Sequence, residues 1–205
     1  MEDDGPRCGN INIILLGDMG VGKTSILMRF RDDKFSPTHI ATIGIDYQTR
    51  KFRSFKNNIF SVHLWDTVGQ ERFRSIGHDY IKKADIILLC FDTTNTESFT
   101  NLRRWLGDIK KISKDHVITM IVGLKIDQIS DRKISCKDGE EFAHSKKLKY
   151  REISAKTFSF TQIKDTIFQS LINKYQKLCD KYPDKIKQSK SSRIVLSEST
   201  SKCNC

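Results

Sequence analysis

Gly17-Asp-Met-Gly-Val-Gly22-Lys23-Thr24 sets glycines, a lysine and a hydroxyl at the spacing G-x-x-x-x-G-K-[ST]. Glycines let a backbone curl until its N–H groups converge, and a helix that starts there adds its positive end. A chain of phosphates is the ligand such a loop fits. Asp18, Gly20, Val21, Gly22 and Ser25 belong to the same cradle. Lys23 would reach the outer phosphates, and Thr24 would offer its hydroxyl to Mg²⁺. A chance glycine-rich turn would have to match every fixed position and both flanks. The motif alone does not choose between ATP and GTP.

Other stretches bear on that choice. Asp66-Thr-Val-Gly69-Gln70 follows an extended run ending in Leu64-Trp65. An acid at a strand end suits a metal-bound water, and the N–H of Gly69 suits a terminal phosphate. Thr42 stands in His39-Ile-Ala-Thr-Ile-Gly-Ile-Asp46, where a loop could fold over the metal. Lys125-Ile-Asp127 and Ser154-Ala155-Lys156 are each expected at the end of an apolar strand, where open α/β sheets place their ligands. A carboxylate such as Asp127 accepts from both N1–H and the exocyclic amine of guanine. Adenine lacks that donor pair, so Asp127 points to guanine.

These residues need a scaffold. INIILL (11–16), IILLCF (86–91) and VITMIVGL (117–124) are continuous apolar runs, the pattern of strands covered on both faces. Residues 45–53 and 59–65 look extended, with FKNN turning between them as a hairpin. A helix is expected from Thr24, and another through ESFTNLRRWLGDIKKI. Ile163, Ile167, Phe168, Leu171, Ile172 and Tyr175 form one helical stripe near the end. The fold expected is α/β, a mostly parallel central sheet with one antiparallel hairpin and helices on both faces. A flexible N-terminus over 1–9, a nucleotide-binding domain over 10–180 and a flexible tail over 181–205 complete the expectation. The tail holds six Lys/Arg against two acids, with six serines and no apolar face.

The net charge of +11 favours acidic partners such as phosphates or anionic lipid. The lysines are scattered rather than gathered into a groove-reading motif, which argues against nucleic acid. No apolar stretch approaches the roughly 18 residues of a membrane span, and no signal peptide opens the chain. The six cysteines have no regular framework, which suits a reducing cytosol.

With these residues in view the chain resembles the small GTPases, and among them the Rab proteins. GDMGVGKTS is similar to their phosphate loop, ATIGIDY to the first switch and WDTVGQERFRSI to the second. LLCFDTTNTESF, LKID and EISAK follow in family order, and Cys203-Asn-Cys205 closes the chain. ESFTNLRRWLGDIKK is closest in tone to the secretory Rabs. The resemblance implies a P-loop small GTPase fold, with GTP or GDP bound together with Mg²⁺. It implies Thr24 and Thr42 on the metal, with Asp66 reaching it through water. Phe35 would stack on guanine, Lys125 would cover its other face, and the Ala155 N–H would meet its carbonyl. Ser154 and Lys156 complete that loop. Gly69 would sense the γ-phosphate, and Gln70 would orient the attacking water. Tyr47, Trp65 and Tyr80 match the family's aromatic triad beneath the effector surface.

The same resemblance implies geranylgeranyl groups on Cys203 and Cys205. It places the protein on the cytoplasmic face of internal or plasma membranes, cycling with the cytosol in vesicle traffic. Its partners would be effectors at the switches, an exchange factor, a GTPase-activating protein, a GDP-dissociation inhibitor and a prenylation escort protein.

Several positions depart from the pattern. Met19 replaces a small residue near the γ-phosphate, Val68 stands in place of alanine, and His39 replaces a frequent aromatic. Leu124 stands in place of the asparagine that bonds guanine N7 and ties its strand to the phosphate loop. Two functions are therefore carried forward: a slow GTPase switch, and a GTP-binding module with impaired hydrolysis or fast exchange. A small-molecule P-loop kinase leaves Asp127 and the C-x-C end unexplained.

Overall fold

The structure is a computed structural model that describes residues 6–37, 46–66 and 74–183, excepting the side chains of Arg7 and of residues 74–77. Strand β1 (Arg7–Leu16) runs into the phosphate loop, and helix α1 (Lys23–Asp32) leaves it. Strands β2 (Asp46–Arg53) and β3 (Ile59–Asp66) form the hairpin, followed by α2 (Arg74–Lys83) and β4 (Ile86–Asp92). Helices α3 (Thr96–Thr100) and α4 (Leu102–Ile112) lead to β5 (Ile118–Leu124), α5 (Cys136–Ser145) and β6 (Lys149–Glu152). The last helical rod starts as α6 (Phe160–Ile163), passes through a π-helical turn at Lys164–Phe168 and continues as α7 (Gln169–Lys181).

The six strands are ordered β2-β3-β1-β4-β5-β6, with β2 and β3 antiparallel and every other pair parallel. This is the α/β sheet with a single antiparallel pair that the apolar runs and the hairpin imply. β1 has β3 on one side and β4 on the other, so chain connections diverge from it in both directions. The crevice beyond its C-terminal end is where such sheets bind ligands.

Side chains alternate across each strand, so one strand feeds two cores. Ile11, Ile13 and Leu15 of β1 join Phe30 of α1 and Phe168 and Ile172 of the last rod. Ile14 and Leu16 face the other way, towards Ile81 of α2 and Leu102, Trp105 and Ile109 of α4. β4 and β5 are buried at every position, as strands covered on both faces must be.

Some boundaries differ from the sequence reading. β1 begins at Arg7, because Arg7 and Gly9–Asn10 already pair with Ile59–Ser61 of β3. The first helical stripe is broken at Asn101 into α3 and α4. The strand before Ser154 is not an apolar run: β6 is a four-residue edge strand in which only Tyr150 is buried. Helix α5 has too few apolar residues to show a stripe, but Ser135 and Asp138 form a capping box that starts it.

Candidate functional site

The phosphate loop is pressed against the sheet. Gly17 has φ of 136°, and a Cβ there would lie 2.1 Å from the carbonyl oxygen of Cys90 on β4. Only glycine accepts that backbone at that distance. Gly22, at φ 109°, caps α1 without a side chain, which leaves the first N–H groups of the helix facing the loop. Lys23 is 5 % exposed, and its Nζ donates to the carbonyls of Gly17 (2.8 Å) and Asp18 (2.7 Å). Burial lowers its pKa, and nearby Asp66 opposes that shift. Burial likewise pushes the Cys90 thiol up to about 12, so it is inert packing beneath the loop.

Asp18 turns away from the loop interior. Trp105 Nε1 donates to its Oδ1 at 2.8 Å, and Asn101 Nδ2 donates to its Oδ2 at 2.7 Å. Its carbonyl accepts from Lys23, so its backbone N–H is the part left for a phosphate chain. Met19 is 60 % exposed at the loop's crest.

Thr24 Oγ1 donates to Asp66 Oδ2 at 2.6 Å, and Asp66 is wholly buried at the end of β3. A hydroxyl and a carboxylate held this close are hard oxygen donors. They fit Mg²⁺, which binds one or two carboxylates together with substrate phosphates. Among the described residues no group of three or more His, Cys, Asp or Glu could hold a metal unaided.

Beyond Gly22 opens a pocket of roughly 300 Å³. Val21, Gly22 and Ser25 form its phosphate-loop end, and Phe35 and Pro37 line it from the segment after α1. Leu124, Lys125 and Asp127 line it after β5, and Ala155 and Lys156 line it after β6. Ser154 Oγ donates to Asp127 Oδ1 at 2.6 Å and accepts from the N–H groups of Lys156 and Thr157 at 3.1 Å each. That locks the carboxylate from one side and leaves its second oxygen to the pocket. Lys125 has φ of 63°, unusual for a residue with a side chain, and its Nζ pairs with Asp92 Oδ2 at 2.6 Å.

The family model of the Ras family matches residues 12–177. This chain belongs to the Ras family. Its relatives carry Rab names. It is 38 % identical to Ras-related protein Rab-1D of Dictyostelium discoideum over 144 residues, 70 % of either chain. To human Rab-37 it is 44 % identical over 146 residues, covering 71 % of this chain and 65 % of that one. To RabC of Dictyostelium discoideum it is 37 % identical over 161 residues, covering 78 % and 82 %. The chain is thus a Rab-family small GTPase, an enzyme of the class that hydrolyses GTP.

In this Rab-family chain the structure brings Lys23, Thr24 and Asp66 together at the phosphate loop, and Phe35, Lys125, Asp127 and Ala155 together around the pocket that opens beyond Gly22. Thr42, Gly69, Gln70, Cys203 and Cys205 lie outside the described residues, as do His39 and Val68. Of the aromatic triad, Tyr47 stacks on Trp65 at 4.5 Å and Trp65 meets Tyr80 at 5.4 Å. No helix among the described residues is long and apolar enough to cross a membrane.

Other residues hold the site without having been singled out in the sequence. Asp92 fixes Lys125 and is itself fixed by Thr94, whose N–H and Oγ1 donate to its Oδ1 at 2.9 and 2.7 Å. Its signal was available, an acid closing an apolar strand as Asp66 does. Arg29 donates from Nε to the Ala155 carbonyl at 2.7 Å and from Nη2 to that of Lys156 at 2.9 Å. Its partners lie more than 120 residues away, so no local spacing announces it.

Proposed function

We propose that this chain is a membrane-anchored GTP/GDP switch regulating intracellular vesicle traffic. The observation that carries the reading is a base-sized pocket that holds Asp127 and reaches Gly22, where the Lys23 loop and the Thr24–Asp66 pair begin. Asp127 accepts from N1–H and the 2-amino group of guanine, while Phe35 and the Lys125 stem cover the two faces of the ring. The loop N–H groups and the Lys23 ammonium hold the phosphates. Thr24 and Thr42 would hold Mg²⁺, with Asp66 behind a bound water, and the ion supplies neutralisation of charge on the phosphate oxygens.

Gln70 orients a water for attack on the γ-phosphorus. The bond to the β,γ-bridging oxygen breaks, releasing phosphate and leaving GDP. Catalysis of this kind is positioning and charge stabilisation, slow until an activating protein contributes an arginine. Loss of the γ-phosphate removes the contacts of Thr42 and Gly69, and both switches relax. Effectors read that difference, an exchange factor reloads GTP, and a GDP-dissociation inhibitor and an escort protein handle the lipidated chain. Two geranylgeranyl groups, on Cys203 and Cys205, give stable attachment where one is marginal, and the basic tail adds attraction to anionic leaflets. Mass spectrometry of the C-terminal peptide tests the lipids.

The deciding experiment is extraction of nucleotide from the purified protein, then single-turnover hydrolysis of GTP and ATP with and without a Rab-activating protein. Guanine nucleotide alone, hydrolysed faster with the activator, supports the switch. Co-purified adenine nucleotide overturns it.

A second reading is a binding module that exchanges fast or hydrolyses poorly, and Leu124 favours it. This side chain is 2 % exposed on the pocket wall and carries no polar atom. A missing hydrogen bond to the base weakens binding by about 0.5–1.5 kcal/mol. GDP release from the protein and from Leu124→Asn should then differ, and equal rates sink this reading.

A further inference from the structure

The base pocket has one polar end and one apolar end. Asp127 marks the polar end. Towards the phosphate loop the wall is Leu124, and a methyl placed on Gly22 would lie 3.6 Å from its Cδ1. A guanine nucleotide spans that distance in one direction only. If its N1 and 2-amino edge meets Asp127 and its sugar leads to residues 17–24, its five-membered ring turns towards Leu124. That ring carries N7, a hydrogen-bond acceptor that needs a donor to be read.

Among the described residues, the donors around Leu124 are committed elsewhere. The Thr93 N–H and Oγ1 both donate to the Leu124 carbonyl, at 3.0 and 2.9 Å. The Lys125 ammonium pairs with Asp92. Of the remaining side-chain donors on the wall, Ser25 belongs to the first turn of α1, and Gln128 and Lys156 are exposed beyond Asp127.

We propose that this site reads guanine at its N1 and 2-amino edge and at its carbonyl but is blind to position 7, with Leu124 as the specificity-determining residue. Its ligand class is then wider than GDP and GTP and includes 7-deazaguanine nucleotides, in which a C–H replaces N7. Against Leu124 that C–H meets a methyl and loses nothing. The inference rests on the guanine-nucleotide reading above.

The test uses the full chain with Mg²⁺ and measures competition of GDP, 7-deaza-GDP and IDP against a ribose-labelled GDP. IDP lacks the 2-amino group and so reports on Asp127. The expected result is 7-deaza-GDP within about twofold of GDP, and IDP weaker by about tenfold or more, the worth of a hydrogen bond to a charged group. Leu124→Asn should restore a donor and disfavour 7-deaza-GDP by about two- to twelvefold. Should that variant not fold, the wild-type comparison decides alone. A wild-type preference for GDP over 7-deaza-GDP of about fivefold or more, the size of one hydrogen bond, overturns the inference while leaving guanine recognition intact. IDP binding as tightly as GDP overturns the Asp127 reading and the inference with it.

Discussion

Trp105 Nε1 on α4 donates to Asp18 Oδ1 in the phosphate loop at 2.8 Å, across 87 residues of chain. With Asn101 on the other carboxylate oxygen, the loop is tied to a helix in the core on the opposite face from α1. Trp105 is 5 % exposed, so solvent does not replace the bond if it is lost. Trp105→Phe keeps most of the packing and removes one donor to a charged group, a loss of about 1.5–3 kcal/mol. Urea unfolding of the nucleotide-free chain should show it. GDP affinity should fall as well, because the loop would be less well ordered before binding.

The buried Lys23 makes a pH prediction. Its folded pKa lies below the ordinary lysine value of 10.5 because burial disfavours the ammonium. The unfolded chain therefore binds more protons there, and stability rises with pH through the window between the lowered pKa and 10.5. Lys23→Met should remove that rise. The measurement is the difference in unfolding free energy between the two proteins across alkaline pH. An equal slope in both would contradict it.

The sheet and the two ends of the site were legible because local pattern carries them. Continuous apolar runs at 86–91 and 117–124 announce covered strands, and the loop at 17–24 has a spacing that only its chemistry explains. What escaped depends on distance. Arg29, Asn101 and Trp105 act on partners brought near only by the fold. Asn101 even interrupts its own helical stripe, and its side chain goes to Asp18. β6 escaped because an edge strand needs only one buried face, so KYRE shows a single buried residue.

The β2–β3 hairpin is fastened to α7. Ser54 Oγ and Asn58 Nδ2 donate to Gln176 Oε1 at 3.2 and 2.8 Å, and the Phe55 N–H donates to Asn173 Oδ1 at 3.0 Å. Gln176 is 4 % exposed, so Gln176→Ala strands two donors, one of them buried, at about 1–3 kcal/mol. Amide hydrogen exchange should rise at residues 53–58 while the phosphate loop stays protected. Uniform protection across the hairpin would show that the remaining bonds to Asn173 and Gln169 and the Lys56–Asp180 pair, 2.9 Å apart, hold it without Gln176.

Arg29 holds the loop after β6 from behind. Its guanidinium takes the carbonyls of Ala155 and Lys156 at 2.7 and 2.9 Å and also reaches Asp33, whose carboxylate accepts from the Phe160 N–H. One planar group thereby sets the orientation of the Ala155–Lys156 backbone on the pocket side. Lysine keeps the charge but cannot reproduce the fork. Arg29→Lys should therefore weaken GDP binding by about 1–2 kcal/mol, roughly the worth of one or two misaligned hydrogen bonds. The change should appear in the release rate, since affinity differences within one site lie mostly there. A GDP release rate equal to wild type would mean that Ser154 and Asp127 order the loop without help from α1.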